Sequence, residues 1–156
     1  MPKIVAVDTD FEDNNLEEVM ARDAGIEFEV THGRTAQAVI DGLLETGADA
    51  AVTSYAMFPR EVFEACSNLK AVSRTGVGYD EIDVEAATEH GVAVCNVPGY
   101  GTEVVSDHAI TLALSVLRRI NELDADMRRG VWDYARTRPL GQCRGRVFGV
   151  VGMGEI

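Results

Sequence analysis

Short apolar, β-branched runs alternate with stretches of helical periodicity through the first two thirds of the chain. Ile4 to Val7 reads as a strand, and Asn14 to Arg22 as a helix capped by Asp13 or Asn14 and stopped by Gly25. Ile26 to Val30 is the second strand. Thr35 caps a helix whose Val39, Ile40, Leu43 and Leu44 form an apolar stripe, with Gly47 as its stop. Ala50 to Thr53 is the third strand, Pro59 opens a short helix through Ala65, and Leu69 to Ser73 is the fourth strand. Asp83 caps a helix to Glu89, and Gly91 leads into a fifth strand, Val92 to Cys95. Strands regularly separated by helices predict an α/β fold: a doubly wound parallel sheet of the flavodoxin-like type.

Beyond Pro98-Gly99-Tyr100-Gly101, a linker by composition, the pattern changes. Thr102 to about Arg119 is one long helix with Val104, Val105, Ile110, Leu112, Leu114, Val116, Leu117 and Ile120 on nearly every side. Burying eight such side chains is worth roughly 12 to 24 kcal/mol, so this helix calls for a covering surface. His108 shares a face with Val104 and Leu112 and is expected to be a buried structural histidine. His32 and His90 read as surface residues, Trp132 as an interface residue, and the arginine pairs at 118–119 and 128–129 as a solvated face or contact surface. The expected division is a domain over 1–100 and the start of a second over 101–156.

The last ten residues, Val147-Phe148-Gly149-Val150-Val151-Gly152-Met153-Gly154-Glu155-Ile156, join an apolar run to Gly-x-Gly. That order suits a buried strand entering a phosphate-binding turn, where the first glycine permits a tight bend and the second a close approach of backbone to pyrophosphate. The third glycine of a dinucleotide fingerprint, and an acid about 20 residues further on, would fall after Ile156. The expectation is therefore that the chain stops inside the motif, as an incomplete and by itself inactive piece.

Composition narrows the remaining choices. At 156 residues with 46% hydrophobic content the chain can bury a core. No apolar run spans a bilayer and no signal-peptide pattern opens it, so the expected location is the cytoplasm without a membrane partner. Cys66, Cys95 and Cys143 are odd in number and widely spaced, which argues for reduced thiols over a disulfide framework or a metal site. The net charge is -12, with 21 acidic and 6 basic residues in 1–110 against 5 and 8 in 111–156. Such an acidic first part excludes nucleic acid as its partner. Lys3 and Lys70 are the only lysines among fourteen basic residues, a composition that suggests a halophilic origin.

Ligands of open α/β sheets collect at the carboxyl ends of strands, which draws attention to Arg74-Thr75-Gly76-Val77-Gly78-Tyr79-Asp80 after the fourth strand. Two glycines there let consecutive amides face outward as an anion nest, and Arg74 adds positive charge in acidic surroundings. Glu81 occupies the place of a third glycine, so this is not a second dinucleotide fingerprint.

These residues, from Leu69 through Asp83, together with Gly91-Val92-Ala93-Val94-Cys95-Asn96-Val97-Pro98 and Thr102-Glu103-Val104-Val105-Ser106-Asp107-His108-Ala109, resemble the D-2-hydroxyacid dehydrogenases. Phosphoglycerate dehydrogenases and the related C-terminal-binding-protein corepressors look most similar, over about Leu69 to Ile156. Glu81 stands where the family often has Asn, and Gly101 where Asn often precedes the threonine. The resemblance implies a substrate-binding domain followed by the first helix and first strand of a Rossmann NAD-binding domain. It implies that Arg74, Thr75, Gly76, Val77 and Gly78 hold the carboxylate of a small 2-hydroxy or 2-oxo acid. Thr102, Gly152, Met153, Gly154, Glu155 and Ile156 would contact NAD. The family's catalytic arginine, glutamate and histidine match nothing in these residues, so no catalytic residue is expected within them. A homodimer is implied for the full-length protein. The alternatives are a nucleotide-sensing, corepressor-like protein and a small-ligand binding module without catalysis.

Overall fold

The computed structural model describes residues 1–11 and 13–156. It contains five strands, β1 (Lys3–Ala6), β2 (Glu27–Val30), β3 (Ala50–Thr53), β4 (Ala71–Arg74) and β5 (Ala93–Cys95). The helices are α1 (Asn15–Asp23), α2 (Ala36–Thr46), α3 (Arg60–Ala65), α4 (Val84–Glu89), α5 (Thr102–Arg118) and α6 (Ile120–Arg128), followed by a 3-10 turn over Tyr134–Thr137. The chain divides into two compact units, Met1–Pro98 and Gly99–Ile156.

In the first unit all strand pairs are parallel and the order is β2-β1-β3-β4-β5. This is the doubly wound arrangement of the flavodoxin type, in which the winding reverses between β1 and β3. The local signals act where the sequence places them. The Thr35 hydroxyl accepts from the Ala38 amide, the Asp83 carboxylate accepts from the Ala86 amide, and Gly47 stops α2 at φ 65. Leu44 departs from the expected stripe: Val39 and Leu43 are buried and Ile40 packs against the core, whereas Leu44 is exposed. At 100° per residue it lies about 140° around the axis from Val39, beyond the face that meets the sheet. Strand β4 begins two residues later than its apolar run, because the amide of Leu69 still bonds to the Cys66 carbonyl in a turn.

The core is built from the strand residues Val5, Ala51 and Val72 and from Val7 just past β1, with Val39, Leu43, Val62 and Phe63 from the helices. Phe58 and Phe63 stack tilted, with ring centroids 6.3 Å apart. The β3–α3 and β4–α4 loops are stitched together: the Phe58 amide donates to the Glu81 carbonyl at 2.8 Å and the Asp83 amide to the Phe58 carbonyl at 2.9 Å. That pairing fixes the segment carrying Arg74 to Gly78 against the end of β3.

The second unit corrects several expectations. Helix α5 ends at Arg118, and Arg119 turns the chain at φ 51 into α6, an element its polar composition concealed. The Arg119 guanidinium bonds to Glu122 and to the Thr137 carbonyl at 3.2 Å. No side chain of α5 is buried, and His108 is exposed, contrary to the expected structural role. Among the described residues the unit holds no sheet, so it offers this apolar helix no surface wide enough to cover it. The expected strand at Val147–Val151 is absent as well, with Val147 97% and Val151 105% exposed. A strand exists only by pairing, and among the described residues no second strand lies in this unit to complete a ladder. Asp126 is the unit's buried carboxylate, held by Arg129 and Arg136. Among the described residues no helix is long and apolar enough to cross a membrane.

Candidate functional site

The carboxyl ends of β1, β3 and β4 place three loops side by side, and the side chains that fill this edge are polar. Asp8, two residues past β1 and only 5% exposed, sits at the reversal of the winding. One of its oxygens accepts from the Thr53 hydroxyl and the Ser54 amide, both at 2.8 Å, and the other from the Tyr55 amide at 2.9 Å. The carboxylate thereby holds the β3–α3 loop onto the end of β1. Ser54 passes the order on, since its hydroxyl lies 2.9 Å from the Thr75 hydroxyl. The Thr75 amide bonds to the Thr53 carbonyl at 2.9 Å.

Arg34, from the loop after β2, approaches Asp8 at 3.4 Å and Asp10 at 3.1 Å, and its guanidinium carbon lies 5.1 Å from the centre of the Tyr55 ring. The Arg74 guanidinium lies 5.5 Å from the same ring. Asp10 beside Tyr55 is the chief reason that phenol is held protonated above its ordinary range. Asp8, Asp10, Arg34 and Tyr55 were not expected as site residues. The signal available in the sequence was position alone: each lies two to four residues past the end of a strand, at the edge where ligands collect.

Arg74 ends β4 and folds back over its own loop. Its Nη1 lies 1.3 Å from the point that a Cβ on Gly76 would occupy, so only glycine leaves room for the guanidinium. The Arg74 Nε is buried without a hydrogen-bond partner. The carbonyls of Gly76 and Val77 are tied back, to the Val97 amide at 3.0 Å and the Asn96 side chain at 2.8 Å. The amides of Gly76, Val77 and Gly78 have no acceptor among the described residues. Neither Gly76 nor Gly78 has a positive φ, so Gly76 is required here by space and not by backbone conformation. The five residues Arg74, Thr75, Gly76, Val77 and Gly78 thus lie on one loop, with a guanidinium and three free amides as donors, a set suited to a carboxylate.

The positions expected to meet a dinucleotide lie in the second unit. Thr102 opens α5 and is half-buried. Gly152 takes φ 118, a conformation that favours glycine, while Met153, Gly154, Glu155 and Ile156 are exposed and belong to no helix or strand. The residue types suit a phosphate turn. No cluster of metal-ligating side chains occurs among the described residues.

Comparison with known proteins agrees with this architecture. The chain is 37% identical over 135 residues to D-3-phosphoglycerate dehydrogenase of Archaeoglobus fulgidus, covering 86% of this chain and 25% of that protein. It is 44% identical over 99 residues to glyoxylate reductase of Korarchaeum cryptofilum, covering 62% of this chain and 30% of that one. The NAD+-bound 3-phosphoglycerate dehydrogenase of Entamoeba histolytica superposes with a TM-score of 0.65 at 26% identity, over 75% of this chain and 39% of the other. The chain therefore spans about a quarter to a third of the length of the curated relatives it matches. Residues 5–148 match the catalytic-domain model of the D-isomer specific 2-hydroxyacid dehydrogenases, and the chain belongs to that family.

Proposed function

We propose that the first unit binds the acid substrate of an NAD-dependent D-2-hydroxyacid dehydrogenase, and that the second begins its nucleotide-binding domain. The observation that carries this reading is the loop after β4, where, among the described residues, the Nε of Arg74 and the amides of Gly76, Val77 and Gly78 lack hydrogen-bond partners at the carboxyl edge of the sheet. A carboxylate docked there would satisfy donors that are otherwise left open, with the charge of Arg74 strengthening each bond. The reaction would be hydride exchange between a small D-2-hydroxy acid and nicotinamide, with NAD as the cofactor that carries the hydride. NAD is favoured by the NAD+-bound relative from Entamoeba histolytica. Thr102, Gly152, Met153, Gly154, Glu155 and Ile156 are the positions of this chain that would contact it. No group in these 156 residues is assigned to proton transfer. The partner is a small 2-hydroxy or 2-oxo acid, the full-length protein is a homodimer, and its place is the cytoplasm of a halophile.

Steady-state assays of the full-length protein with NADH and a panel of small 2-oxo acids test this. Consumption of NADH that depends on the acid, with a KM for the acid raised by Arg74→Ala and a KM for NADH unmoved, is the expected result. Acid binding without any NADH oxidation would instead make the protein a ligand-binding or nucleotide-sensing member of the family.

A further inference from the structure

The family's relatives include enzymes named for phosphorylated and for unphosphorylated acids, and the charge pairing at the sheet edge bears on which kind this chain accepts. A phosphate ester carries a charge of about -1.5 to -2 near neutral pH and needs cations beyond the one that holds its carboxylate. The first unit has six basic side chains. Lys3 is paired with Glu27 and Glu29, Lys70 with Asp49, and Arg60 with Glu89. Arg22 lies in the last turn of α1 near Asp23. The two that reach the candidate site are Arg34 and Arg74, on one Tyr55 ring. Arg34 is already engaged by Asp8 at 3.4 Å and Asp10 at 3.1 Å. Of these six side chains, Arg74 alone has no carboxylate partner within ion-pair distance among the described residues.

Resting on the dehydrogenase reading above, we propose that the site selects a singly charged, unphosphorylated 2-oxo or 2-hydroxy acid, and that Asp10 is a specificity-determining residue that withholds Arg34 from a second anionic group. One guanidinium and three amides match one carboxylate. A phosphoryl group entering beside it would meet the two carboxylates of Asp8 and Asp10, with Arg34, the cation paired to both, already engaged. Asp10 is half-exposed and bonds to no backbone group among the described residues, so its replacement by Asn leaves the loops in place while loosening Arg34.

The experiment compares kcat/KM for glyoxylate and for 3-phosphohydroxypyruvate, with NADH, in the full-length enzyme and its Asp10→Asn variant. The wild type should favour glyoxylate, and Asp10→Asn should shift the ratio toward the phosphorylated acid by about fivefold, the effect of removing one partly exposed charge partner. Equal or better use of the phosphorylated acid by the wild type overturns the proposal, as does a ratio unmoved in a folded Asp10→Asn protein. If neither acid is consumed, the dehydrogenase reading fails, and calorimetry on this chain decides the charge question separately. Binding of glycolate with exclusion of 2-phosphoglycolate sustains the selection, whereas equal binding of both, or binding of neither, overturns it.

Discussion

The Nη1 atom of Arg74 lies 1.3 Å from where a Cβ on Gly76 would stand, so the arginine and the glycine two residues later occupy one space between them. A methyl group at position 76 must expel the guanidinium from its seat beside Tyr55. The glycine is thus part of how the arginine is aimed.

Gly76→Ala should therefore raise the KM of the full-length enzyme for its acid by about tenfold or more, the cost of losing one charge-assisted bond. The KM for NADH should stay within about twofold. Gly78→Ala, where a Cβ meets only open space, should change either constant far less. Equal effects of the two alanines in steady-state kinetics would show that Arg74 does not act through the space at Gly76.

Asp8 should prove a stability residue as well as a site residue. Asp8→Ala leaves the Thr53 hydroxyl and the amides of Ser54 and Tyr55 without their acceptor in a buried place. Chemical denaturation should show a loss of about 2 to 4 kcal/mol, several unsatisfied groups costing about 1 to 3 each with partial rescue by water. Asp10→Asn, at the half-exposed end of the same cluster, should lose less than about 1 kcal/mol.

Calorimetric titration of this chain with NAD should show no micromolar affinity, because Gly152 to Ile156 are exposed and belong to no helix or strand that would pre-organise their amides for a pyrophosphate. Tight binding would mean that the exposed tail orders itself on the cofactor.

The thiols should separate by place. Cys95 and Cys143 are exposed, whereas burial covers Cys66 and pushes its thiol above the ordinary range. Aromatic disulfide reagents at neutral pH should label two cysteines quickly and the third only on unfolding. Three fast thiols would contradict the packing of α3 against the sheet.

The net charge of -12 should make folding salt-dependent. Melting temperature should rise between low salt and molar KCl as repulsion among the acids of the first unit is screened. An unchanged midpoint would remove the argument for a halophilic source.

The elements of the first unit and their kind were legible in the order of its amino acids. Period-two and period-3.6 apolar patterns, the caps at Thr35 and Asp83 and the left-handed stop at Gly47 are local causes, and each acted within a few residues of where it is written. The family could be read from the Arg74 loop because it carries consecutive residues. What meets at the sheet edge depends instead on long-range strand order. Asp8, Arg34, Tyr55 and Arg74 come from the carboxyl ends of four different strands, and the parallel order of β2, β1, β3 and β4 alone makes them neighbours. Tertiary context also set the fate of α5 and Val147–Val151, whose apolar composition promised burial. Hydrophobicity states that a surface favours cover; whether a side chain is covered depends on what the fold sets against it.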